Sequence, residues 1–400
     1  MKTALLIDCG AAETKAALIV GGEIARFFFA PARGDEALPR PPETGDITLG
    51  RIKKTAPALG GAFVDIGGEE DAFLPAKAGA ALSEGAAAIF RVTRPPLGGK
   101  GAVISADWKK GLPEALAAGV TKADGAPRLL SAGVDSAARV AFMAHSLAAA
   151  FAPAPIVVNR GDAMAALAAS GFSAAVDERA IDGAGIEDAI AEALEPEVAL
   201  GGGARMLIAE TPGGAVIDID AGGAANDSRK PNDRVNAIAA ARLFRELSRR
   251  AIGGRVFVDF LPPSSATARR SLLDALNAPA GAPYENRLGK LAPDGLLDLT
   301  APRRDRSLLD RASEPFGEGA IVPGRRATLD FTAKRAVAAL EQRLRLQPRR
   351  RFGLDAGEEL LRYLELQPQW RARLVERYGP RLDFRRRERL APGSFDVAEI

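Results

Sequence analysis

The stretch that most narrows what this chain can fold into runs from Ala215 to Phe260. It reads as a strand, Ala215-Val-Ile-Asp-Ile-Asp220, a helix over 235–252, and a second strand, Val256-Phe-Val-Asp-Phe260. A strand-helix-strand of this length crosses over right-handed and lays its two strands parallel and adjacent in one sheet. Asp218 and Asp259 then fall near the same carboxyl edge. Side chains alternate along a strand, so Asp218 and Asp220 share one face while Ile217 and Ile219 share the other. Gly253-Gly254 supplies the expected C-cap of the helix.

Three carboxylates at one strand edge want a countercharge. An acid in an apolar strand is costly unless it is hydrogen-bonded or holds a cation, and Mg²⁺ is commonly held by one or two carboxylates together with phosphate oxygens. Spacing alone leaves two readings open: the acids cap strand ends and turns, or they hold a metal. The metal reading brings phosphodiester hydrolysis with it, because a bound divalent ion acidifies water and offsets charge on the phosphate. Such chemistry needs no histidine. The chain has one histidine, His145, and one cysteine, Cys9. A His-rich metal cluster, a Cys-paired zinc site and an internal disulfide are therefore excluded, and any serine triad would have to use His145.

Upstream, 3–9, 15–20 and 23–29 read as a three-stranded antiparallel meander, and 31–42 is a proline-punctuated connection. Residues 46–105 alternate strands with glycine turns and show no helical period, as in a small all-β module. There Phe63 and Phe73 offer flat faces to bases while Arg51, Lys53, Lys54 and Lys100 track phosphates, as OB-folds do on single strands. Each phenylalanine taken singly also suits a core. Helical spacing governs 134–150, 161–170 and 186–195, with a buried strand at 156–158, and strand-helix alternation becomes regular after Gly203. At 47% hydrophobic and 26% charged residues this is a folded chain, and its net charge of +3 excludes a histone-like electrostatic blanket. The last hundred residues are the basic part, with 22 basic against 15 acidic side chains. No apolar run approaches the ~20 residues of a membrane helix and no signal-type segment precedes the first strand, so we expect a reducing, cytoplasmic setting and no membrane partner.

Gly61-Ala-Phe-Val-Asp-Ile-Gly67, Ile217-Asp-Ile-Asp220 and Gly253-Gly-Arg-Val-Phe-Val-Asp-Phe260, in that order, resemble the ribonuclease E/G family. The resemblance implies an α/β multidomain fold. Its expected pieces are an RNase H-like part (1–42 and 125–200), an inserted S1-type OB β-barrel (43–106), a remnant of the 5′-sensor (107–124), a DNase I-like catalytic α/β domain (201–310), a linker (311–328) and a small basic C-terminal α/β domain (329–400). It also implies a Mg²⁺-dependent endoribonuclease acting on single-stranded RNA and leaving 5′-phosphate and 3′-hydroxyl ends. Asp218 and Asp259 fall on the family's metal-binding aspartates, and Asp220 stands where the family usually has asparagine. Phe63, Phe73 and Lys100 fall on its RNA-contacting S1 positions.

Three departures follow from the same resemblance. The stretch between the barrel and Gly125 is too short for the 5′-sensor, so indifference to the 5′ end is expected. The family's CPxC zinc link is replaced by Ser313-Glu-Pro-Phe-Gly-Glu318, so no zinc, no zinc-linked dimer and a monomer are expected. The family's RFGLLE-like segment survives as Pro293-Asp-Gly-Leu-Leu-Asp298, without its arginine. Two alternatives stand beside the enzyme. One is a catalytically weak or inactive RNA-binding relative that grips RNA through the barrel and the tail arginines 349–351 and 385–387. The other is suggested by Leu6-Ile-Asp-Cys-Gly10 and Thr14-Lys15, which resemble the phosphate hairpin of actin-like kinases and would put Asp8 near Mg-ATP.

Overall fold

The computed structural model describes residues 3–35, 40–76, 83–97, 99–120, 125–130, 134–151, 154–211, 213–223, 231–278, 281–316 and 324–400. It is mixed α/β with several sheets. The chain opens with an antiparallel meander, β1 (Thr3–Cys9), β2 (Glu13–Val20) and β3 (Glu23–Pro31). Strand β2 is almost wholly buried because both faces of this sheet are covered, one by the cluster holding Leu5, Leu18 and Phe28 and the other by that holding Leu6, Phe27 and Phe29.

Five strands then close on themselves: β4 (Ile47–Ala56), β5 (Gly61–Asp65), β6 (Ala72–Pro75), β7 (Ala87–Arg94) and β8 (Val103–Ser105). Their order is β5-β6-β8-β7-β4, and β4 pairs back onto β5 to complete a barrel around Ile52, Val64, Phe90 and Ile104. Within β5 and β6 residues alternate between the barrel interior and its outer surface. Helix α1 (Glu114–Gly119) follows, and β9 (Arg128–Leu129) adds to the outer side of β4.

Helix α2 (Ser136–Leu147) leads to β10 (Ile156–Val158), α3 (Gly161–Ala169) and β11 (Ala174–Val176). Strands β10 and β11 extend the meander in parallel, giving the order β11-β10-β1-β2-β3. Helices α4 (Glu178–Gly183) and α5 (Ile186–Leu194) cover this sheet's second face.

The next unit is a six-stranded sheet made by β12 (Glu197–Gly201), β13 (Ala204–Thr211), β14 (Gly214–Asp220), β15 (Gly254–Asp259), β16 (Arg287–Leu291) and β17 (Leu296–Ala301), with α6 (Pro231–Arg249) and α7 (Ala266–Asn277). The order is β12-β13-β14-β15-β17-β16, and β14 and β15 run parallel. One face carries the core, with Ile217, Val256 and Val258 fully buried under Ala239, Leu243 and Leu247 of α6. Each such leucine contributes roughly 1.5–3 kcal/mol. Strand β12, upstream of residue 201 for most of its length, already belongs to this sheet.

The expected glycine cap is also displaced. Helix α6 ends in a Schellman arrangement in which Ala251 N–H reaches Ser248 O (3.0 Å) and Ile252 N–H reaches Leu247 O (2.9 Å). Ala251 therefore takes the left-handed position, φ 54°. Gly253 serves a different need: a Cβ there would lie 2.9 Å from Pro302 O.

Helix α8 (Leu308–Ala312) ends inside the expected linker, which also holds a two-stranded hairpin, β18 (Ser313–Phe316) with β19 (Gly324–Ala327); residues 317–323 lie outside the described residues. The chain closes with α9 (Leu329–Leu346), β20 (Phe352–Ala356), α10 (Glu358–Glu365), α11 (Pro368–Tyr378), β21 (Leu382–Arg386) and β22 (Phe395–Glu399), its sheet ordered β21-β20-β22. This unit packs on the β1–β2 turn, whose Ala11 and Ala12 enter its core. Among the described residues no helix is long and apolar enough to cross a membrane.

Ionic seams join the pieces. Glu341 on α9, 2% exposed, accepts from Ala11 N (2.8 Å), Arg377 (2.7 Å) and Tyr378 (3.0 Å). At the connection into the barrel, buried Asp46 accepts from Arg40 (2.8 Å), from Glu43 N (2.8 Å) and from Arg139. Arg311 on α8 reaches Glu43 (2.8 Å) and lies 4.7 Å over the Phe29 ring.

Two outcomes are expected. Replacing Ala251 with glycine removes the cost of a left-handed alanine and should raise stability by about 1 kcal/mol in urea unfolding. Burial pushes the Glu43 carboxyl up, but Arg311, then Arg40 and Arg139, outweigh it and hold it at about 2 against an ordinary 4.5. A depressed carboxylate contributes stability above its unfolded value and loses it as the pH falls through the folded one. Stability should therefore decline between about pH 4.5 and pH 2, by roughly 3 kcal/mol from this group. Glu43→Gln should flatten that part of the pH profile and lower stability at pH 7.

Candidate functional site

Strand alternation decides what faces out. In β14 and β15 the residues Ile217, Ile219, Val256 and Val258 point into the core beneath α6. Val216, Asp218, Phe257 and Asp259 accordingly lie on the uncovered face and are exposed. Parallel pairing puts Asp218 directly beside Asp259 at the carboxyl end of both strands. Neighbouring strands lie about 4.7–4.9 Å apart, so two like charges stand side by side. Among the described residues neither carboxylate has a hydrogen bond or an ion pair.

Gly214 makes that register attainable. It faces Arg255 where the parallel pair begins, and a Cβ there would sit 1.6 Å from Arg255 O. Any side chain would wedge the strands apart.

Asp220 is placed differently from the sequence expectation. Its Oδ1 accepts from Gly222 N (2.9 Å), closing a turn, and its Oδ2 accepts from Arg205 Nε (3.0 Å) on the neighbouring strand. The Gly222 N–H first, and then Arg205, hold its carboxyl below the usual range. Asp220 thus does what the capping alternative describes, and among the described residues no group of three His, Cys, Asp or Glu side chains could hold a metal. Residues 224–230, which follow this edge, lie outside the described residues. Asp298 pairs with Phe257 in register, and its Oδ1 accepts from Lys290 N (3.2 Å).

On the barrel, Ala62, Val64, Ala72 and Leu74 point inward, which turns Phe63 and Phe73 outward. They form a cross-strand pair, half-buried, with ring centroids 5.7 Å apart and planes at 65°. Gly61 leaves room for the second ring, since a Cβ there would lie 2.5 Å from it. Cations share this surface. Lys53 is exposed and bonds Asp71 (2.9 Å), and Arg51 is exposed and bonds Gly85 O (2.8 Å). Lys100 is exposed beside the 71–73 stretch, where Phe73 N bonds Ala102 O (2.7 Å).

Other marked residues are engaged inside the protein. Asp8 accepts from Asn159 (2.6 Å) and Arg345 (3.3 Å), and buried Lys15 pairs with Glu187. Burial, and then Asp8, push the Cys9 thiol up, which disfavours a metal-binding thiolate. His145 Nδ1 lies 2.8 Å from Ala141 O. In the tail, Arg385 and Arg387 both bond Asp355 (2.6 and 2.8 Å) and Arg386 bonds Glu358 (3.2 Å), so this triplet binds its own unit. The sequence reading also passed over Glu210, which lines a cleft of about 680 Å³ with Arg303, Arg306 and Arg325. Burial is the main cause of its raised pKa, about 6. The cleft meets β14 at Gly214, the end of the strand away from Asp218.

Comparison with known proteins bears on the six-stranded sheet. Residues 166–304 match the family model described as the Ribonuclease E/G family. Ribonuclease E of Synechocystis sp. is 30% identical over 132 residues, 32% of this chain and 20% of that protein. The chloroplastic Ribonuclease E/G-like protein of Arabidopsis thaliana is 28% identical over 135 residues, 32% of this chain and 14% of the relative. The Ribonuclease E/G-like protein of Pyropia yezoensis is 29% identical over 136 residues, 33% of this chain and 27% of the relative. The matched part thus spans only about a seventh to a quarter of the length of these relatives. Residues 166–304, which include Asp218, Asp220 and Asp259, are thus the part of the chain that is similar to ribonuclease E/G proteins.

Removing one of two abutting carboxylates should relieve repulsion. In EDTA, Asp259→Asn should be more stable than the parent by about 0.2–1 kcal/mol in urea unfolding. A loss of stability would mean that the carboxylate is held by a partner.

Proposed function

We propose that this chain is a divalent-metal-dependent endoribonuclease acting on single-stranded RNA and leaving 5′-phosphate and 3′-hydroxyl ends. One observation carries the reading: Asp218 and Asp259 lie in register, exposed and without a partner among the described residues, inside the segment similar to ribonuclease E/G proteins. Two carboxylates with open surroundings fit Mg²⁺, which takes one or two protein carboxylates and completes its shell with water and phosphate oxygens. A metal bound there supplies an acidified water and offsets charge on the phosphodiester.

The chain's own residues do the rest. Asp218 and Asp259 hold the cation, and Asp220 assists indirectly by fixing the turn after β14 through Gly222 and Arg205. Phe63 and Phe73 receive bases on the barrel surface while Arg51, Lys53 and Lys100 meet phosphates, an arrangement that favours unpaired RNA because every base offers a π-face. In this reading the sheet β11-β10-β1-β2-β3 is the RNase H-like part, the barrel is the S1-type OB domain, the six-stranded sheet is the DNase I-like domain, and the protein acts as a monomer without zinc. A second reading, RNA binding without turnover, is favoured by one observation: Asp220 turns to Arg205 and contributes no third carboxylate.

A fluorescent single-stranded RNA incubated with Mg²⁺ or with EDTA separates these readings. We expect internal cleavage in Mg²⁺ alone, at rates within tenfold (~1.4 kcal/mol) for 5′-hydroxyl, monophosphate and triphosphate ends. The Asp218→Asn, Asp259→Asn double variant should bind RNA and cut at least a hundredfold more slowly. Equal cleavage by that variant would sink the assignment, and binding without cleavage by the parent protein would establish the second reading.

A further inference from the structure

The uncovered face of the six-stranded sheet is ordered by its register. Arg255 and Arg287 both pair with Thr300, making one row of two arginines flanking a threonine. Two residues along, Val216 pairs with Phe257 and Phe257 with Asp298. Two residues further, Asp218 pairs with Asp259 and Asp259 with Leu296. All three rows share a face, because the residues between them, Val256, Val258, Leu297 and Leu299, are buried in the core. Successive rows are about 6.6 Å apart.

The middle row is out of place for a surface. Phe257 is 37% exposed and its registered neighbour Val216 is 48% exposed, with Leu296 at 44% in the next row. Isolated surface hydrophobics are ordinary, but a contiguous set beside a candidate site marks a surface that something covers. Charge indicates what covers it. Arg255 and Arg287 are exposed, and neither has an ion-pair partner among the described residues. The Arg255 guanidinium lies 6.0 Å from the Phe257 ring centroid, so cation and ring are neighbours on this face. Cation, aromatic ring and paired carboxylates thus follow one another along β15. A single strand of nucleic acid offers phosphate, base and phosphate in the same succession.

We infer that this face is the path of the RNA strand at the cleavage site, with Phe257 stacking one base beside the scissile phosphodiester and Arg255 and Arg287 holding the phosphate on that base's far side. The inference rests on the nuclease reading above and adds to it a positioning residue and a backbone contact. Stacking needs no particular base, so the track tolerates sequence and selects against duplex, whose bases are already stacked.

The test uses the full chain in EDTA with a short single-stranded RNA carrying 2-aminopurine at successive positions. One position should be strongly quenched on binding. Phe257→Ala should lose that quench and about tenfold in affinity, and Phe257→Trp should restore both. The Arg255→Gln, Arg287→Gln double variant should keep the quench and reduce the slope of log affinity against log salt by about 0.7, for the one phosphate that the two arginines share. Unchanged affinity and quench in Phe257→Ala would overturn the inference, and they would leave the nuclease reading intact if Asp218→Asn, Asp259→Asn still abolished cleavage. Light scattering that shows self-association of the parent, lost in Phe257→Ala with RNA binding unaffected, would overturn it too, because the face would then join two copies.

Discussion

Asp218 and Asp259 are held abreast by backbone hydrogen bonding between two parallel strands, and neither can move aside without breaking the sheet. Most of the surrounding unit follows from that arrangement. Parallel neighbours require a crossover, and α6 supplies it. The crossover covers one face of the sheet and takes Ile217, Val256 and Val258 into the core, which leaves the opposite face to the carboxylates. Gly214 allows the backbones the approach that the register needs. Like charges set side by side cost stability. A structure that keeps them while pairing so many other carboxylates has a local surplus of negative charge that a cation would relieve.

Elsewhere the arginine-rich composition is put to structural use. Glu341 draws together the β1–β2 turn, α9 and α11 through a backbone amide, a guanidinium and a phenol. Asp46 and Glu43 do the same where the chain enters the barrel, taking Arg40, Arg139 and Arg311. A carboxylate is stable at such depth only when its oxygens are well supplied with donors, and removing one donor costs far more than the pair adds relative to an apolar alternative. These seams fix the angles at which the units meet. They also explain why a basic tail need not be a basic surface, since Arg385, Arg386 and Arg387 close on Asp355 and Glu358.

Much of the local structure could be read without coordinates. Period-two alternation in 215–220 and 256–260, with a helix of sufficient length between them, leads to parallel strands and adjacent aspartates, and β14 and β15 have that form. The outward pair of Phe63 and Phe73 follows from the same alternation once the barrel closes. The helix end was legible only in part. Two glycines after a helix favour a cap, yet the left-handed position fell to Ala251 because Gly253 was needed where the chain passes Pro302. Capping preference is local, whereas close backbone approach depends on a segment some fifty residues away, just after β17.

Sequence by itself determined the periodicities, the supply of chemical groups and the exclusions: strands, crossover, a single cysteine and a single histidine, and acids at 218, 220 and 259. Tertiary structure alone decided how those groups are used. Asp218 and Asp220 point to one side of the same strand and are equivalent in the sequence pattern, but Arg205 on β13 and the Gly222 amide engage one of them and leave the other beside Asp259. Arg255 and Arg287, distant in the chain, become neighbours because β17 lies between their strands and Thr300 pairs with both. Alternation is set by backbone geometry within a few residues and is therefore written locally. The partner of a charged side chain depends on which strands lie next to one another, and only the folded sheet fixes that.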